Sequence, residues 1–118
     1  MKLMIFVLSK VEKLNELMLA YSNANVRGST IIESSGMAKS LIETGGSMMS
    51  YLRTILDPEH TESRTILTVC NDDQVQTIKN AITDVIGSLE CPDTGILFTI
   101  PLDSVDGLVK SSGTNVNS

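Results

Sequence analysis

Apolar positions fall along this chain in two rhythms, short solid runs and stripes at helical spacing, and their order lays out a fold. Leu3-Met-Ile-Phe-Val-Leu8 is an unbroken apolar run bounded by Ser9, which predicts a strand buried on both faces and central in its sheet. Ser9-Lys-Val-Glu12 has capping-box spacing, so a helix is expected to start there. Val11, Leu14, Met18 and Tyr21, widened by Leu17, form its apolar stripe, while Glu12, Lys13, Asn15 and Glu16 face water. Ser22-Asn-Ala-Asn25 is a poor helix former and ends it. Gly28 then opens a short strand, Ser29-Thr-Ile-Ile-Glu33, stopped by Ser34-Ser-Gly36.

Residues 37–63 carry Gly45-Gly46, Ser47, Ser50, Pro58 and several charges without a sustained period, and read as a long flexible loop. Loops beyond about 12–15 residues in a compact domain are usually functional or mobile. Within it, Tyr51-Leu-Arg-Thr-Ile-Leu56 is long enough for a turn or two of helix before Asp57-Pro58. Thr65-Ile-Leu-Thr-Val-Cys70 is a third strand pattern, and Asn71-Asp-Asp-Gln74 supplies an N-cap and acidic residues for a second helix. Its stripe is Val75, Ile78, Ile82, Val85, Ile86 and Leu89, with Gly87 near its end. Cys91-Pro-Asp-Thr-Gly95 is a turn, and Ile96-Leu-Phe-Thr-Ile100 a fourth strand cut off by Pro101.

The order strand, helix, strand, strand, helix, strand predicts an α+β, ferredoxin-like βαββαβ domain: a four-stranded antiparallel sheet with two helices on one face. The expected organisation is one domain over residues 1–110, with the long loop between strands two and three, and a disordered tail over 111–118.

Composition narrows the function more than the fold. At 118 residues the chain buries a core without metal or disulfide staples, and with 3% aromatic residues and no Trp it has no base-stacking platform. A net charge of -5 with scattered Lys and Arg argues against nucleic acid as a partner. Cys70 and Cys91 are neither in CxxC spacing nor near a second soft ligand, and read as reduced thiols. The first apolar run is too short for a signal segment or a membrane span, so the expected location is cytoplasmic.

Candidate chemistry is sparse, and no catalytic residue or metal site is assigned. His60, the one histidine, sits in the polar stretch Asp57-Pro-Glu-His-Thr-Glu62, and a solvated loop residue is its simplest reading. Asp57, Glu59, His60 and Glu62 form at most a loose cation site without a rigid element to fix it. Asp72-Asp73 are explained by the helix start they precede. Gly28-Ser-Thr30, Gly36-Met-Ala-Lys39 and Asp93-Thr-Gly95 are small-residue turns at strand ends, where exposed N–H groups can meet an anion. No phosphate-loop motif accompanies them, and on spacing alone they are ordinary turns. Met48-Met49 with Tyr51, Leu52, Ile55 and Leu56 places soft apolar side chains in the loop, which either fold back on the domain or form an adaptable docking surface.

Taken together, the opening strand at Lys2-Leu-Met-Ile, the segment Gly28-Ser-Thr-Ile-Ile-Glu33 and Gly36 ahead of a long loop resemble the PII signal-transduction (nitrogen regulatory P-II-like) superfamily. Asp72-Asp-Gln-Val75 and Gly95-Ile-Leu-Phe98 with Pro101 extend the resemblance to about residue 108. It implies a non-enzymatic, cytoplasmic homotrimer that needs no cofactor. Clefts between its subunits would bind a small effector of ATP or ADP type, and its loop would dock on a transporter or metabolic enzyme. The implied effector residues are Gly28, Ser29, Thr30, Gly36, Met37, Ala38, Lys39, Ser40, Asp93, Thr94, Gly95 and Ile96; the implied docking residues are Met48, Met49, Tyr51, Leu52 and Arg53.

The chain departs from that family's pattern in three cationic positions. Ile96 stands where a basic residue follows the glycine, and the late arginines fall near Gly107 and Val109. Hydrogen bonds to charged groups contribute about 1.5–3 kcal/mol each, so polyphosphate binding has lost support unless Lys39, Arg53 or Arg64 substitutes. The loop also lacks the family's Arg-Gly-x-Glu-Tyr tip, leaving Tyr51 as its one tyrosine. Two other readings share this architecture: a divalent-metal-binding trimer similar to the CutA proteins, working through His60, and a scaffold with no ligand.

Overall fold

A computed structural model describes residues 1–26, 28–37 and 62–108. The elements are β1 (Lys2–Leu8), α1 (Leu14–Asn23), β2 (Ser29–Ser35), β3 (Glu62–Cys70), α2 (Val75–Ile86) and β4 (Gly95–Pro101), with one 3₁₀ turn ahead of each helix. The four strands form one antiparallel sheet in the order β2-β3-β1-β4. This is the α+β, ferredoxin-like arrangement the sequence predicts, with β1 central. The loop residues 38–61 and the tail from 109 onward lie outside the described residues.

Period-two alternation decides which side of the sheet is dry. Met4, Phe6 and Leu8 of β1 and Ile66 of β3 are fully buried, and they meet Leu17 and Tyr21 of α1 and Ile78, Ile82 and Ile86 of α2. Burying each such side chain contributes about 1.5–3 kcal/mol. Both predicted helical stripes therefore lie against one sheet face, with Leu14, Met18, Val75, Val85 and Leu89 packed at the margins.

The expectation that β1 is buried on both faces is corrected: Leu3, Ile5 and Val7 point to the other side and are only half-buried, and no helix among the described residues covers them. The sequence writes a two-sided burial of which the described residues supply one side.

The Ser9–Glu12 capping box does not form. The Ser9 N–H that Glu12 would accept already donates to the Thr94 carbonyl at 3.3 Å, so the chain makes a 3₁₀ turn over Val11–Lys13 before α1 starts at Leu14. The start of α2 follows its signal: Asn71 and Gln74 form a reciprocal capping box, with the Asn71 N–H donating to Gln74 Oε1 at 2.9 Å. Helix α1 ends as predicted near Asn25, which takes a left-handed φ of 66° while the Val26 N–H donates back to the Tyr21 carbonyl at 2.9 Å.

Strand limits differ from the prediction at the loop. β2 continues through Ser34 and Ser35, and β3 begins at Glu62, so Glu62 and Ser63 are strand and not loop. The Ser34 hydroxyl shares hydrogen bonds with those of Ser63 at 2.7 Å and Thr65 at 2.8 Å, so side-chain pairing extends the ladder where serine alone suggested a stop.

Candidate functional site

Three groups of implied effector residues can be placed on the sheet. The row Glu33–Arg64–Leu8–Gly95 runs from the β2 edge to the β4 edge, so Gly36 and Met37 leave one corner and Asp93 to Ile96 enter at the other. Three strand spacings separate these corners, about 14 Å. Gly28, Ser29 and Thr30 lie at the far end of β2, in the row Ser29–Thr68–Met4–Thr99. Among the described residues one chain therefore brings no two of the groups together. Ala38, Lys39 and Ser40 lie outside the described residues, as do Met48, Met49, Tyr51, Leu52 and Arg53 and the loop residues Asp57, Glu59 and His60.

The turn before β4 is a shaped element. Asp93 holds a left-handed φ of 62°, and the buried Thr94 hydroxyl donates to the Cys91 carbonyl at 2.8 Å. Gly95 has a φ of 150°, and a Cβ there would sit 2.5 Å from the Val7 carbonyl oxygen and 2.6 Å from the Phe6 ring. Only glycine fits, so a motif that on spacing was an ordinary turn is a close approach of β4 to β1. Beyond it, Ile96 is 65% exposed and presents an apolar side chain at this corner.

At the loop base, Glu33, Ser34, Ser35, Glu62 and Arg64 line a cleft of about 240 Å³. The Arg64 guanidinium donates to the Ser63 carbonyl at 3.0 Å and pairs with Glu33 at 3.7 Å. Among the described residues this corner sets two carboxylates against one guanidinium, with no surplus of positive charge for a polyphosphate. Among the described residues no group of three or more His, Cys, Asp or Glu is placed to hold a metal ion, and no helix is long and apolar enough to cross a membrane.

Two perturbed groups escaped sequence reasoning. Burial pushes the Tyr21 hydroxyl well above its usual range, with the neighbouring Cys70 adding to the effect. Burial also raises the Cys70 thiol, helped by the Asp72 and Asp73 carboxylates and opposed by the amino terminus. That amino terminus sits 3.4 Å from Asp72 Oδ1. A signal existed in the sequence, since Tyr21 lies on the apolar stripe of α1 and Cys70 on the inward register of β3, but nothing in spacing shows that they meet.

The open sheet face is a continuous apolar feature of the described residues. Leu3, Ile5 and Val7 pair across the ladder with Val69, Leu67 and Thr65 on one side, and with Ile100, Phe98 and Ile96 on the other. Phe98 is 45% and Ile100 43% exposed. Monomeric proteins rarely leave so continuous an apolar surface in water.

The family model of nitrogen regulatory protein P-II fits residues 1–110. A search of curated proteins finds no match.

Proposed function

Because the chain belongs to the nitrogen regulatory protein P-II family, we propose that it is a non-catalytic regulator that assembles as a homotrimer on its open sheet face. It senses a small effector in the clefts between subunits and controls a partner transporter or enzyme through the 37–63 connection. The observation that carries this reading is the open face itself. A strand written for burial on both sides, and three exposed β4 residues in register with it, call for a cover that a second copy supplies in kind.

Assembly also gives a use to the three separated corner groups. Residues that lie on opposite edges of one sheet become neighbours when the β2 edge of one subunit approaches the β4 edge of the next. The effector is expected to carry less negative charge than a nucleoside triphosphate, since Ile96 and the mixed Glu33–Arg64–Glu62 corner offer no cluster of cations. Any shift in the connection is bounded by the effector's differential affinity for its two states.

Light scattering on the eluting protein tests the assembly: a particle of three times the 12.7 kDa chain mass is expected. Calorimetric titration with ATP, ADP, AMP and adenosine tests the sensing, with heat expected to survive removal of phosphates. A monomer, or silence across that series, overturns the corresponding half of the reading.

A further inference from the structure

Two non-glycine residues among those described hold a left-handed φ, Asn25 and Asp93. Asn25 closes helix α1. Asp93, with a φ of 62°, stands in the turn that leads into β4, among the residues assigned to the effector. That conformation disfavours a side chain by roughly 1 kcal/mol or more; glycine avoids the penalty, and asparagine and aspartate bear it best.

The turn is held in shape from several sides. The hydroxyl of the buried Thr94 donates to the Cys91 carbonyl at 2.8 Å and so spans Pro92 and Asp93, while the Thr94 carbonyl accepts the Ser9 N–H at 3.3 Å and ties the turn to the end of β1. Gly95, with no room for a Cβ, fixes the exit. The Asp93 carboxylate takes no part in this frame. Asp93 is exposed, and among the described residues its side chain accepts no hydrogen bond and pairs with no cation, Lys10 of the adjoining segment included. The stretch Glu90-Cys-Pro-Asp-Thr-Gly-Ile96 carries two carboxylates and no cation of its own.

Resting on the reading of this turn as part of the effector site, we propose that Asp93 is a charge-specificity residue: its uncompensated carboxylate, carried on a fixed turn, weakens anionic effectors against neutral ones of the same shape. Charges act over about 8–10 Å at ordinary ionic strength, so the effect needs no direct contact. For one carboxylate several ångströms away it amounts to about two- to threefold per ligand charge, and it grows as phosphates are added.

Asparagine takes the same backbone conformation and has the same shape, so Asp93→Asn removes the charge alone. Calorimetric titration with adenosine, AMP and ATP, without divalent cations and at roughly 0.02 M and 0.5 M salt, reads the difference. Wild type and Asp93→Asn are expected to bind adenosine within about twofold of each other, while the variant gains at least about threefold on AMP and more on ATP at low salt. Those gains shrink at high salt. Asp93→Gly, which also relieves the backbone, is expected to show the same gains, separating charge from shape. No gain on AMP or ATP in Asp93→Asn, or a gain that high salt leaves unchanged, overturns the proposal. Silence of wild type and variant toward all three ligands overturns the effector reading and the proposal with it, whereas adenosine binding without a charge-dependent gain overturns the proposal alone.

Discussion

Single positions carry more of this fold than composition suggests. Gly95 is the clearest, because a methyl group there collides with the Val7 carbonyl and the Phe6 ring in a backbone conformation that L residues resist. Gly95→Ala is expected to destabilise the protein by about 2–3 kcal/mol, measured as a lower urea midpoint with an unchanged slope. Cys70 and Tyr21 give a pH signature. Both pKa values are raised by folding, so above the ordinary thiol range of about 8.5–9 the unfolded chain binds fewer protons than the folded one. Stability is therefore fully present below that range and falls as pH rises, through Cys70 first and then Tyr21 above about pH 10. Tyr21→Phe removes the upper part of this decline, which chemical unfolding at stepped pH will show. At neutral pH a thiol reagent is expected to modify the exposed Cys91 quickly and the buried Cys70 only on unfolding.

Elements were the part of the molecule most legible in the sequence. The four strands, two helices and their order follow from periodicity, since Leu17, Tyr21, Ile78 and Ile82 stand at positions that a stripe fixes and that the core confirms. What escaped was pairwise. Ser9 was a sound N-cap by spacing, but its N–H was claimed by Thr94, 85 positions away in the chain, and no local rule contains that contact. Ser34 suggested a stop yet extends a ladder, because its partners Ser63 and Thr65 come from beyond the loop. The capping box, being local, was readable, and Asn71→Ala is expected to cost about 1 kcal/mol in thermal or urea unfolding. By contrast Glu33→Gln is expected to change stability by less than about 0.5 kcal/mol, since its pairing with Arg64 is long and solvated.

For the molecule as a whole, the unshared sheet face governs behaviour. Phe98→Asp places a charge in the middle of that face, opposite Ile5, and is expected to convert the proposed trimer to monomers that remain folded on the helix side. Analytical ultracentrifugation with circular dichroism checks both halves of that statement. The same sheet order has a consequence for biogenesis. Of the four strands β1 is synthesised before the rest, yet its two neighbours are β3 and β4, so its backbone finds neither partner until residues 62–70 and then 95–101 have been synthesised. Nascent chains ending before β4 must hold a six-residue greasy segment with one bare edge, and domains whose pairings are this distant fold late and slowly. Ribosome-bound chains arrested before residue 95 are therefore expected to recruit holding chaperones, and to release them once the last strand has emerged.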